Sequence, residues 1–131
     1  LLETCEPKIE VDKNNTIIGS HSGYGSVHTR KFNLYENKLI IEDFLELKNK
    51  KKIINFNLAE NLIIDNYVKD SNVIFELKSP KIDKLIKLEI TNVTNPLLKK
   101  GFLSEGYNNP KENQMISCEM SSGYSRSTFS W

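Results

Sequence analysis

The segment from Val27 to Leu47 constrains the fold most, because it folds back on itself in one well-defined register. A tight turn at Glu36-Asn37 with antiparallel strands sets Tyr35 opposite Lys38, Leu34 opposite Leu39 and Phe32 opposite Ile41. Further out, Arg30 falls opposite Asp43, Lys31 opposite Glu42 and His28 opposite Leu45. A single register thus yields two apolar pairs and two opposite-charge pairs, and such pairs are what hold a ladder together. Slipping one strand by one residue turns its apolar set to the other face. Asp43 is the odd member. It shares a face with Leu39, Ile41, Leu45 and Leu47, where an uncompensated carboxylate is costly. Arg30 is the partner that makes it tolerable.

The rest of the chain repeats this period-two pattern. Lys8 to Asp12 and Thr16 to Ser20 read as short strands around a turn at Asp12-Lys13-Asn14-Asn15. His21 to Ser26 is a loop of small residues in which two close glycines mark a sharp bend or a close approach. Lys48 to Lys52 reads as a solvated hairpin loop rather than a polyanion contact. Ile54, Phe56 and Leu58 then form a hairpin-linked strand with Asn55 and Asn57 outward. Leu62 to Val68 and Val73 to Leu77 flank a turn at Lys69 to Asn72, and Ser79-Pro80 breaks the second of them. Ile86, Leu88 and Ile90 fit a strand better than a helix over 81–90. Thr91 to Pro96 reads as loop, Phe102 to Tyr107 as strand, and Asn108-Asn109-Pro110 as turn. Ile116, Cys118 and Met120 share one face of a late strand. Ser121 to Arg126 reads as loop and Ser127 to Trp131 as a last edge strand. The pattern predicts an all-β antiparallel β-sandwich of two sheets with hairpin and meander connections.

A chain of 131 residues suffices for one domain with its own core, so 1–131 is read as a single sandwich. Leu1 reads as the cut end of a longer or processed chain. Lys plus Arg number 18 and Asp plus Glu 17, a net charge of +1, which supplies no field for nucleic acid or an anionic membrane. No run approaches the ~20 apolar residues of a membrane span. No Cys-x-x-Cys or His-x-x-x-His spacing marks a metal site, and no cofactor motif is present. Cys5 and Cys118 lie near opposite ends. They are either a disulfide closing a long loop or two reduced, half-buried thiols. Asn14-Asn15-Thr16 and Asn92-Val93-Thr94 fit glycosylation sequons.

The order His21-x-Gly23-Tyr24, then His28-x-Arg30, then a short hairpin, then Ile40-Ile41-Glu42-Asp43-Phe44-Leu45 resembles the C-terminal β-sandwich domain of heparinase II/III-like proteins. Asn55-Phe56-Asn57-Leu58 is similar to that family's Phe-His-Leu-x-Pro segment, with Asn57 at the polar position and no Pro after it. Ser104-Glu105-Gly106-Tyr107 loosely echoes a Ser-x-x-Tyr-Gly-like element near the family's end. The resemblance spans residues 16–77 and is most specific from 21 to 45. It implies a polysaccharide lyase, in which an N-terminal helical toroid packs on a β-sandwich and an acidic polysaccharide lies in the groove between them. Such enzymes cleave uronic-acid glycans by β-elimination, with a base such as Tyr or His taking the C5 proton. In the family the toroid supplies much of this machinery, and no complete catalytic set is present here. The resemblance therefore implies a supporting, noncatalytic or partly contributing domain, and a periplasmic or extracellular parent.

His21, Tyr24, His28 and Arg30 are the candidate substrate-binding residues. His21 and Tyr24 sit in the loop, where functional side chains are often carried by a rigid scaffold. The alternatives are a Tyr24 that packs over the sheet end and a His21 that caps a turn. His28, opposite Leu45, reads more readily as a satisfied semi-buried histidine than as a ligand contact. The fork of Arg30 can hold a uronate carboxylate, although its pairing with Asp43 points to structure. Tyr124 and Trp131 are read as a possible sugar-stacking surface near the C-terminus. Two other functions stay open at this level. One is an autonomous carbohydrate-binding module using Tyr24, Tyr107 or Trp131, and the other is a purely structural immunoglobulin-like domain.

Overall fold

The computed structural model describes residues 8–12, 14, 16–22, 26–46, 51–59, 61–81, 83–104 and 110–131, with the backbone alone at 21, 100–104 and 110–113. Every regular element among them is a strand. The eleven are β1 (Lys8–Val11), β2 (Thr16–His21), β3 (His28–Leu34), β4 (Lys38–Leu45), β5 (Ile53–Leu58), β6 (Ile63–Lys69), β7 (Asn72–Lys78), β8 (Leu85–Ile90), β9 (Val93–Ser104), β10 (Pro110–Met120) and β11 (Tyr124–Ser130). They form two antiparallel sheets. The large one has the order β1-β2-β3-β4-β11-β8-β7-β6, and the small one β5-β10-β9.

The β3–β4 hairpin holds the register that its side chains demand. Leu34 pairs with Leu39, Phe32 with Ile41, Arg30 with Asp43, Lys31 with Glu42 and His28 with Leu45. The Tyr35 amide donates to the Lys38 carbonyl at 2.8 Å and closes the turn. The β6–β7 hairpin turns on Asp70 and Ser71, both at positive φ (50° and 66°). That is the handedness at both central residues which matches the twist of the flanking strands.

Three connections depart from the pattern in the sequence. Residues β4 and β5 are not hairpin partners: β4 pairs with β3 and β11, while β5 crosses to the other sheet and pairs with β10. The basic segment between them therefore joins two layers. The stretch around Pro96 is strand rather than loop. β9 begins at Val93 and pairs along β10, with the register shifting between Ser117 and Glu119. The final strand starts earlier than its composition indicates, at Tyr124, and it is not an edge. It lies between β4 and β8, bonded to both, and so joins the β1–β4 meander to the β6–β8 meander. Its inward residues, Ser125 and Ser127, are fully buried. Serine at the first two core positions hides the apolar alternation ahead of Phe129, which is why the strand resembles a short edge in the sequence. Ser125 Oγ donates to the Thr91 carbonyl at 2.8 Å. At the entry to β11, Gly123 lies so close to β4 that a Cβ would sit 2.7 Å from the Leu45 carbonyl oxygen.

The core lies between the sheets. Ile41, Val73, Phe75, Leu77, Leu88 and Ile90 of the large sheet cluster with Ile54, Phe56, Val93, Ile116, Cys118 and Met120 of the small one. Phe56 meets Phe129 edge to face across the gap, with centroids 5.6 Å apart, a favoured aromatic geometry. Three strands cannot cover eight. On β1 and β2 the core-facing Ile9, Val11 and Ile17 are 78%, 68% and 46% exposed.

Candidate functional site

The inner face of the β3–β4 hairpin carries a charged cluster at the margin of the core. Alternation along β3 places His28 and Arg30 on the same face, and the hairpin register puts Asp43 beside them. Asp43 is fully buried, whereas the His28 and Arg30 side chains are 25% and 26% exposed. His28 Nε2 lies 2.7 Å from Asp43 Oδ1. Arg30 Nε donates to the same oxygen at 2.7 Å, and its Nη2 donates to Oδ2 at 3.3 Å. A carboxylate only accepts hydrogen bonds, so His28 carries its proton on Nε2 while Asp43 is ionised. The guanidinium rests 5.2 Å from the Phe56 ring centroid, in a cation–π contact between the two sheets.

Burial pushes the Asp43 carboxyl up. The hydrogen bonds from His28 and Arg30, and the nearby positive charge, outweigh that and hold it below the ordinary carboxylate value of 3.8. The carboxylate thus fixes both ring and fork, and each turns its exposed part toward a groove of about 470 Å³. The groove runs where the small sheet stops, between β1–β3 and the edge strand β5. Lys8, Ser20 and Asn55 line it beside His28 and Arg30, with Ile9 among the apolar walls. A cationic, hydrogen-bonding groove of this kind can hold a carboxylated or hydroxylated ligand.

The other candidate residues are placed as follows. His21 is the last residue of β2, paired across the ladder with His28, and so belongs to a strand rather than the loop. Its side chain lies outside the described residues, as do Tyr24, Tyr107 and Cys5. The Cys5–Cys118 pairing therefore also falls outside them. Cys118 is buried, and burial pushes its thiol up to about 11. Ser26 is buried and accepts a hydrogen bond from Lys52 Nζ at 3.1 Å. Tyr124 and Trp131 do not share a surface: they flank β11 at opposite ends and on opposite faces. Tyr124 donates to Glu42 Oε2 at 2.7 Å and packs on Phe44. Trp131 borders an apolar groove with Leu58, Leu77 and Phe129. Among the described residues no group of three or more His, Cys, Asp or Glu can hold a metal ion. Among the described residues no helix is long and apolar enough to cross a membrane. Lys8, Phe56 and Ser125 join the neighbourhood of Asp43 only in three dimensions. Each comes from a strand outside the β3–β4 hairpin, and no local pattern announces it.

The fold defines the class of protein, a two-sheet antiparallel β-sandwich. Within that class, the chain matches part of the solved structure of a heparinase III, a polysaccharide lyase, with a TM-score of 0.69 and 14% identity. The match covers 98% of this chain and 22% of that one, so the chain spans about a fifth of the length of the protein it resembles. Neither a family model nor a curated protein matches the sequence.

Proposed function

We propose that this chain is the β-sandwich domain of a larger heparinase III-like polysaccharide lyase. In this reading it supports a helical catalytic domain and forms one wall of the groove that holds an acidic glycan. It does not catalyse on its own. The observation that carries the reading is the His28–Asp43–Arg30 cluster at the edge of the cleft, in a chain whose fold recurs within a heparinase III. Asp43 orients the Arg30 fork, and the exposed part of the guanidinium borders the cleft where a uronate carboxylate would lie. The bare Ile9, Val11 and Ile17 beside this cleft supply an apolar margin for a docking domain.

Two measurements test it. The 131-residue chain is incubated with heparin, heparan sulfate and alginate, and the absorbance of unsaturated uronate product is followed; none is expected. The chain is then joined to the segment encoded upstream, and Lys8→Ala and Asn55→Ala are introduced. Lyase activity is expected in the joined protein, with KM for acidic glycan raised in both variants and kcat little changed. Turnover by the chain alone, or a joined protein indifferent to both substitutions, would falsify the reading.

A further inference from the structure

On the outer face of the large sheet, opposite the cleft, lies a second concave site. β2, β3 and β4 floor a pocket of about 410 Å³, closed by the turn after β1 and by the hairpin residue Tyr35. Its floor is set by register: Thr16 pairs with Asn33 and Lys31 with Glu42. Unlike the cleft, its walls are almost wholly polar, comprising Asp12, Asn14, Thr16, Lys31, Asn33 and Glu42.

Internal hydrogen bonds orient several of these groups. Asp12 Oδ1 accepts from the Asn14 and Thr16 amides at 2.8 and 3.0 Å, which fixes the turn. The Asn33 Oδ1 accepts from the Thr16 hydroxyl. Glu42 Oε2 accepts from Tyr124 at 2.7 Å and lies 3.8 Å from Arg126. Asp12, Asn33, Glu42 and Lys31 all line the pocket, and the Lys31 charge acts on the Asp12 carboxyl. Two donor-bearing and two acceptor-bearing side chains therefore surround one concavity. Tyr35, 52% exposed, adds a ring at its margin, and Lys38 Nζ lies 5.0 Å from the ring centroid.

We infer that this outer pocket is a carbohydrate-binding site distinct from the cleft, and that it takes a neutral sugar residue rather than a uronate. Each sugar hydroxyl both donates and accepts, so a pair of adjacent hydroxyls matches one donor and one acceptor on the wall. The apolar C–H face of a pyranose packs on an aromatic ring. A uronate, by contrast, brings its carboxylate against Asp12 and Glu42, with Lys31 the one cation on the pocket wall among the described residues. Asp12 is held ionised by its hydrogen bonds from Thr16 and Asn14, so this discrimination persists at neutral pH. Because the site lies on the opposite face from the cleft, it stands or falls separately from the lyase reading.

The test is an amide chemical-shift titration of the whole chain with cellohexaose, mannohexaose and xylohexaose, and with a mannuronate hexamer as the acidic counterpart. Saturable shifts at Lys31, Asn33 and Tyr35 are expected with at least one neutral probe, unchanged in EDTA. Tyr35→Ala and Asn33→Ala are each expected to weaken binding about fivefold, while Tyr35→Phe retains it. Asn55→Ala, in the cleft, leaves it unchanged. The inference is overturned if no neutral probe shifts these amides up to its solubility limit. It is also overturned if the mannuronate hexamer binds there as tightly, or if EDTA abolishes binding and so makes the pocket a cation site.

Discussion

The two halves of the large sheet are built on different physics. In the β11-β8-β7 half, the face beneath the small sheet is sealed: Phe75 and Leu88 are fully buried and Ile90 is 1% exposed. In the β1–β4 half the cover runs out. There the innermost group is a carboxylate, Asp43, whose burial is made tolerable by His28 and Arg30. Beyond it the apolar side chains on the same inner face of β1 and β2 lie uncovered. The sealed half is a stability core. The open half retains chemistry at its margin because the short sheet leaves its charges within reach of solvent.

That contrast can be broken at its sealed end first. Phe75→Ala empties the best-packed site and should cost about 3–5 kcal/mol in denaturant unfolding; a loss below about 1 kcal/mol would mean that the sheets are not closely packed there. Asp43→Ala should cost about 3 kcal/mol, chiefly because it leaves the Arg30 charge half-buried without its partner. If the His28 and Arg30 side chains simply rotate into solvent, the loss will be small and the cluster is not structural.

Gly123→Ala comes next, at about 1–2 kcal/mol, because the new Cβ meets a backbone oxygen of β4 that cannot swing aside. Unfolding midpoints compared with those of the neighbouring Ser122→Ala, at an exposed position, will show whether the close approach is responsible. The pH dependence is subtler. Asp43 has its folded pKa below the unfolded value of 3.8, so its contribution is complete above that value and is lost as pH falls through the folded pKa. Stability measured from neutral pH to strong acid should therefore fall more steeply below about pH 4 in the native chain than in Asp43→Asn. Parallel curves would remove Asp43 from the acid response. The smallest effect is expected at the open edge. Ile9→Ser and Val11→Ser should change the stability of the chain alone by no more than about 0.5 kcal/mol, since both are already exposed.

The hairpin was legible in the sequence because it is a local object. Its register follows from pairs within one short segment, and Arg30 and Asp43 meet as that register requires. Strand identity was legible for β7 and β8 by the same alternation. What could not be read was membership of a sheet. No residue of β5 records that it crosses to the other layer, because Ile54, Phe56 and Leu58 would be inward-facing in either sheet. β11 was misread because Ser125 and Ser127 occupy core positions where an apolar pattern is normally sought. The site was legible to the same extent. Its cross-strand members lie in one hairpin, but Phe56, Lys8 and Asn55 reach it through tertiary contact, and Tyr24 lies outside the described residues.

The position of β11 also has a kinetic meaning. The two meanders, β1–β4 and β6–β8, pair only with sequence neighbours and can each close quickly once made. The strand that joins them is the last of the eleven, and its partner β4 lies far upstream. Long-range pairing of this kind is slow, since the loop entropy is lost before the contact is gained. Until β11 arrives, β4 and β8 both present open edges, the form of strand most prone to pair with another molecule. A chain in which β11 has not yet paired is thus the species most in need of a chaperone, and substitutions in β11 should reduce soluble yield more than they reduce the stability of the protein that does fold.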